Sequence, residues 1–220
     1  MKKILDVPYY SEFDEIDGST EHIELFKRRS CGIVSVKMAV DYITHSTGLG
    51  MISLNRLIKL SIKHKAYRLS IGGRRNYSGW SHSGIIKALS EAGFVAWRKR
   101  CFVLPSDIAH LKNEGIESDG IKRYKEQELG EFLETLAKSI DGGYPVIVSI
   151  EKNLGKKITP HLVVMTGYER KGSKIAGFYI NDPNNPKSNN GNRPIHKDLY
   201  ITCGQFVPMW RKTAIFIEPR

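Results

Sequence analysis

A cysteine followed by glycine opens an apolar, helix-like run in the stretch "RRSCGIVSVKMAVDYI", Arg28 to Ile43. Four roles suit a thiol there: core residue, metal ligand, half of a disulfide, or nucleophile. Each requires different companions. At the start of a helix, free N–H groups and the positive end of the dipole favour negative charge on the Cys31 sulfur. Arg28 and Arg29 act in the same direction, and Gly32 leaves space for an approaching group. A nucleophilic thiol also needs a base, and the base needs an orienting partner.

Of the seven histidines, His161 stands apart because it opens a β-type run, "HLVVMTGYE", rather than lying in a polar loop. The following run, "GFYINDP", ends in Asn181-Asp182-Pro183. If these two runs form an antiparallel hairpin closing around Arg170–Ile175, Tyr168 pairs with Ala176 and paired numbers sum to about 344. That register sets His161 beside Asp182 or Pro183, and a one-residue slip changes which side chain shares its face. Asp182 is therefore the expected orienting residue, with Asn181 in reserve. Taken singly, Cys31 reads as a small residue starting a helix, His161 as a polar strand end and "NDP" as a turn. Together, and in that order, they read as the parts of a thiol nucleophile.

These residues need elements to hold them. "ILDVPYY" (residues 4–10) reads as a short extended segment, and residues 11–30 as a polar loop. Apolar positions Ile33, Val36, Ala39 (or Val40) and Ile43 recur at helical spacing after Cys31. A second helix spans Ser53 to Lys63, with Ser53 as N-cap, and a third spans Ser81 to Phe94. Between them "IGGRRNYSGW" is glycine-rich and loop-like. It lacks the lysine and Ser/Thr spacing of a phosphate loop. A short strand is expected at Val95–Trp97 and a fourth helix over "EQELGEFLETLAKSIDGG". After Gly143 the pattern turns to short β-type runs at Tyr144–Glu151, His161–Glu169, Gly177–Pro183 and Thr213–Pro219. Helices first and antiparallel strands second predict an α+β fold of two layers or lobes. The expected division is a mainly helical part over about 1–142 and a sheet part over about 143–220 of one domain. "NDPNNPKSNNGNRP", residues 181–194, reads as a surface loop or the rim of a site.

Composition narrows the function classes. The 220 residues are 40% hydrophobic and 10% aromatic, enough for a real core. Lys plus Arg exceed Asp plus Glu by 34 − 23 = 11. The excess is spread, with short clusters at Lys27–Arg29, Arg74–Arg75 and Arg98–Arg100, so it does not read as a nucleic-acid tail. Nucleic acid is not the expected partner. The three cysteines, Cys31, Cys101 and Cys203, lie far apart and form neither a disulfide framework nor a zinc pattern. No metal or organic cofactor is implied. "MKKILDVPYY" is broken by Asp6 and Pro8, unlike a signal peptide, and no run suits a membrane span, so a cytoplasmic location is expected.

The blocks "LDVPYYS" (5–11), "SCGIVSVKMAVDY" (30–42), "GWSHSGIIKAL" (79–89), "YPVIVSI" (144–150), "HLVVMTGYE" (161–169) and "NDP" (181–183) resemble, in order, the papain-like cysteine peptidases. They are closer still to the bacterial domains related to double-glycine leader peptidases of bacteriocin exporters. The resemblance implies a helical lobe carrying Cys31 as nucleophile and a sheet lobe carrying His161 as general base and acid. It implies Asp182 as the orienting partner and a peptide or isopeptide bond as the substrate.

One position departs from the family pattern. A glutamine that helps form the oxyanion hole is expected upstream of the cysteine, where this chain has Glu12. An ionised carboxylate cannot donate to a developing oxyanion. A missing donor costs roughly 10²–10³ in rate. The competing expectation is thus a papain-like peptide-binding module with impaired catalysis. Trp80 and His82, in "GWSH", are expected either to wall the substrate cleft or to serve as core and cap. Phe206 and Trp210 are expected to pack between the lobes.

Overall fold

The computed structural model describes residues 1–26, 29–68, 79–101, 109, 112–154, 157–184 and 196–220. The glycine-rich stretch 71–78, most of the 181–194 segment, and Lys27, Arg28, Arg74 and Arg75 lie outside the described residues.

Helix α2 (Cys31–Thr47) is apolar almost all round, and from Cys31 to Thr44 only Tyr42 is not fully buried. A helix of that composition belongs inside the molecule. It ends where Gly48 takes a left-handed conformation at φ 71°, which glycine adopts without the clash a Cβ would bring. Helix α3 (Leu54–Lys63) starts at Ser53, whose side chain accepts from the Arg56 N–H as expected. Helix α4 (His82–Glu91) is capped in the same way by Ser81.

Several boundaries differ from expectation. Glu21–Phe26, read as loop, forms a short helix, α1. The strand expected at Val95–Trp97 runs over Phe94–Arg100 as β4. The fourth expected helix, α5, starts earlier and spans Ser118–Asp141. Strand β8 (Leu199–Thr202) and helix α6 (Cys203–Met209), which opens with a Thr202–Gln205 capping box, had no counterpart in the pattern.

The remaining strands are β1 (Lys2–Ile4), β5 (Val146–Leu154), β6 (Lys157–Lys171), β7 (Lys174–Asn181) and β9 (Trp210–Pro219). With β4 and β8 they form a seven-stranded sheet in the order β4-β9-β5-β6-β7-β8, and β1 pairs with β6. Every pairing is antiparallel. A two-stranded ribbon, β2 (Tyr67–Arg68) with β3 (Gly79–Trp80), stands apart. The sheet takes β1 and β4 from the first 142 residues, so the helical and sheet parts are not separated at one point of the chain.

Consecutive residues of β4 show how the helices are distributed. Lys99 donates to Thr135 of α5 at 3.1 Å, whereas Arg98 acts on His82 of α4. Neighbouring side chains on a strand point to opposite faces, so α4 and α5 cover opposite faces. Helix α3 packs with both α2 and α4, and α6 joins α5 through a cluster of Phe132, Phe206 and Trp210. The expected α+β fold is the one observed, with a third layer, because α5 and α6 cover the face that α2–α4 leave open.

Candidate active site

The strand pair that carries His161 and Asp182 is a hairpin with tighter ends than the expected register. Lys171 pairs with Lys174 around Gly172-Ser173, and Val164 pairs with Asn181. Paired numbers sum to 345 or 346 rather than 344, because the register shifts between Met165 and Gly167 and again between Glu169 and Arg170. The β6–β7 ladder stops at Val164–Asn181, so His161 and Asp182 lie beyond it, and His161 pairs with Ile150 of β5 instead. Their side chains nevertheless meet: His161 Nε2 lies 2.6 Å from Asp182 Oδ1.

Asp182 is held from several sides. The Asn184 N–H donates to its Oδ1 at 2.9 Å, its own N–H donates to His196 O at 3.0 Å, and the Tyr9 hydroxyl donates to its backbone carbonyl at 3.1 Å. Asn181, the reserve choice, is engaged elsewhere. Its Oδ1 accepts from the Asp198 N–H at 2.8 Å and its Nδ2 donates to Val7 O at 3.4 Å. It fastens three segments of chain and does not orient the imidazole.

Cys31 is the first residue of α2 and is buried, as are His161 and Asp182. With Nε2 committed to Asp182, the other ring nitrogen remains for the sulfur. Burial opposes charge on the His161 ring, but the Cys31 sulfur and the Asp182 carboxylate both hydrogen-bond it and attract its proton. The outcome is a pKa pushed up to about 10. The imidazole is thus kept protonated between two groups that favour its cation.

The segment around Glu12 is tied to both halves of this arrangement. The Glu12 N–H donates to Pro183 O at 2.9 Å, and the Ser30 hydroxyl donates to Glu12 O at 3.3 Å. Ser30 precedes Cys31 but makes no side-chain cap on α2, because its hydroxyl is spent on Glu12. The Glu12 side chain is buried, and its backbone is tied to Ser30 at the start of α2.

Trp80 covers the same turn. Its indole N–H donates to Arg29 O at 2.7 Å, and a Cβ at position 32 would lie 2.2 Å from its ring. Gly32 is therefore required by the tryptophan that lies on it. Trp80 packs with Phe26 and Tyr67 at centroid distances of 5.0 and 5.2 Å. Burial raises the Tyr67 pKa, the Arg29 charge opposes the rise and the Cys31 sulfur adds to it, so Tyr67 lies within electrostatic range of the sulfur. The charges acting on His82 are those of Arg98, Arg211 and Arg100. Tyr9, Ser30 and Tyr67 were not singled out by sequence. Only the "VPYYS" block hinted at Tyr9; Tyr67 becomes visible only once β2 pairs with β3.

All three cysteines are free thiols, and burial pushes those of Cys101 and Cys203 up. Among the described residues no group of three His, Cys, Asp or Glu side chains could hold a metal ion.

Residues 4–214 match the family described as Peptidase_C39 like family. The chain belongs to that family. No curated protein matches this family member significantly. It is similar to the solved peptidase domain of Streptococcus ComA, a bi-functional ABC transporter involved in a quorum-sensing pathway. That match has 20% identity over 87% of this chain and 93% of the other, with a TM-score of 0.48. A double glycine motif protease from an AMS/PCAT transporter, solved in complex with the leader peptide, matches at 15% identity. It covers 99% of this chain and 95% of that one, with a TM-score of 0.49. The peptidase domain of Streptococcus mutans ComA matches at 21% identity over 74% and 87% of the two chains, with a TM-score of 0.38. In this C39-like chain the helix bearing Cys31 packs against β6, the strand bearing His161. Among its described residues no helix is long and apolar enough to cross a membrane.

Proposed function

We propose that the protein is a cysteine peptidase acting on a peptide or isopeptide bond, with Cys31 as nucleophile, His161 as acid and base, and Asp182 as orienting residue. The observation that supports this reading is the His161 ring, buried between a sulfur and a carboxylate and kept protonated by both. In the first step the Cys31 thiolate adds to the carbonyl carbon, and the C–O π electrons move to oxygen. Collapse of this intermediate breaks the C–N bond while the imidazolium gives its proton to the departing amine. Water then adds to the thioester, the now neutral imidazole takes its proton, and the thiolate leaves. The Cys31 N–H at the helix start is one donor to the oxyanion, and Glu12 stands where a second would act.

Alkylation by iodoacetamide tests the first requirement. Cys31 reacts at least about tenfold faster than Cys101 or Cys203 in the same molecule, as the local chemistry of the sulfur demands. Equal labelling of all three would remove the nucleophile. Peptide binding without turnover is the second reading, favoured by the carboxylate at position 12. It predicts binding that Cys31→Ala leaves unchanged and no thioester trapped under any condition.

A further inference from the structure

Three exposed arginines take no part in the chemistry above. Arg98 and Arg100 lie in β4 opposite Ile215 and Thr213 of β9, and Arg211 follows Trp210 at the start of β9. Alternation sends Arg98 and Arg100 to one face of the sheet. The charges of all three act on His82 at the start of α4. Among the described residues neither the Arg98 nor the Arg211 side chain has a hydrogen bond or ion pair, and no acidic group acts on His82. Burial and the three guanidinium groups push the His82 pKa down to about 4, so near neutrality the ring adds no charge of its own. Arg98 and Arg211, on neighbouring strands with no counter-charge on either side chain among the described residues, repel each other, and an anionic ligand would offset that cost.

The sheet register locates this patch relative to the sulfur's partner. His161 of β6 pairs with Ile150 of β5, and Ile150 pairs with Trp210 of β9. Arg211 is the next residue, and β4 is the next strand. Strand spacings of about 4.8 Å put the arginines roughly 10–14 Å from His161, at the same end of the sheet. Trp80, which lies on Gly32, is two residues from His82 and joins the two places. An extended peptide rises about 3.3 Å per residue, so about three or four residues span the gap.

We propose that Arg98 and Arg211, with Arg100 beside them, form a subsite for the carboxylates of an acidic stretch in the peptide substrate, about three or four residues from the reacting bond. The distance from the reacting bond rests on the peptidase reading; the anion site itself does not. The planar fork of arginine matches carboxylate and phosphate alike. Continuity with the sulfur's end of the sheet selects the carboxylate, because a polypeptide reaching Cys31 passes within range of both places.

The test uses two fluorescein-labelled dodecapeptides, identical except that a Glu-Glu-Glu block in one is Gln-Gln-Gln in the other. Anisotropy titrations are made against the full chain carrying Cys31→Ala. The Glu peptide binds about tenfold tighter, a difference typical of charge-assisted pairs. Adding Arg98→Gln and Arg211→Gln removes that preference and leaves the Gln peptide unchanged. Both arginines are exposed, and an unaltered melting temperature certifies the fold. Equal affinity for the two peptides overturns the proposal, and so does a preference that survives the double substitution. Tighter binding of inorganic phosphate or of an oligo-dT than of the Glu peptide overturns the assignment to carboxylates. Iodoacetamide labelling of Cys31 in the otherwise unaltered chain reports separately on the peptidase reading.

Discussion

Helix α2 supports two buried charge clusters, one at each half, and they are built differently. In the C-terminal half, Lys37 donates to Asp41 at 2.7 Å and to Ile52 O at 3.1 Å, and it lies 2.9 Å from Asp17. The ammonium group thus has two hydrogen-bond acceptors and a second carboxylate beside it. Asp41 receives the Tyr10 hydroxyl at 2.8 Å, and Asp17 receives the Leu54 N–H at 2.8 Å. Burial raises the Asp41 pKa against the pull of Lys37 and Tyr10. In the N-terminal half, Asp182 and His161 are fixed as firmly, but the chain of contacts ends on a sulfur. The difference teaches that a closed network holds elements together, whereas one that ends on a polarisable nucleophile can pass its proton on. Burial and charge alone do not separate the two cases; the identity of the terminal atom does.

Substitutions break this comparison in order of size. Cys31→Ala or His161→Gln lowers the rate of thioester formation by ~10³-fold or more, as loss of a nucleophile or its base does. The readout is mass-spectrometric trapping with a cleavable peptide. Residual trapping above about a tenth of the original rate would mean that the chemistry lies elsewhere.

Lys37→Ala leaves the buried Asp41 carboxylate without its cation and costs about 3–5 kcal/mol of stability in urea unfolding. Alkylation of Cys31 per folded molecule stays unchanged. A stable Lys37→Ala protein with an inert sulfur would reverse the two roles.

Asp182→Asn removes one of the two groups that raise His161. A ring whose folded pKa is raised stabilises the fold fully below its ordinary value of 6.5, and that contribution is lost as pH rises through about 10. The stability gap between the unaltered chain and His161→Gln therefore narrows across that window. The alkaline limb of amine release, near pH 10 with Asp182 present, moves down in Asp182→Asn. An unmoved limb would separate Asp182 from the proton it is held to control.

Glu12→Gln converts an acceptor-only carboxylate into an amide with N–H donors and speeds acyl transfer by about tenfold. A slower variant would assign the carboxylate a positive role. The smallest effect is at a cap: Ser53→Ala costs about 1 kcal/mol in stability and nothing in thiol reactivity.

The proposed reacting groups were legible because each sits where its element changes character. Cys31 starts an apolar helix, His161 opens a strand and Asp182 follows one. The register that joins them was misjudged by one or two positions. Bulges near Met165–Gly167 and Glu169–Arg170 insert residues that alternation alone does not reveal. The side chains met despite this, because both lie past the end of the β6–β7 ladder, and Asp182, which follows β7, is not held by strand pairing. Helix α1 was missed because six residues give less than two turns of periodicity. The third layer was hidden for a different reason: an amphipathic pattern in α5 shows that a face is buried but not against which side of a sheet. The arginine patch was visible only as a short cluster at Arg98–Arg100. Arg211 joins it through strand pairing that spans more than half the chain.

Strand β9 has a consequence for how the molecule assembles. It lies between β4 and β5, so Phe94 waits for Pro219 and Trp97 for Phe216. Hairpin β6–β7 needs only its own short turn and can zip early. Contacts so distant in sequence slow folding, because a long loop must close before they form. Until residues 210–219 arrive, β4 has an open edge and α4 has an unfinished floor. The nascent protein therefore holds its sulfur and its ring in separate, incomplete pieces for most of its synthesis.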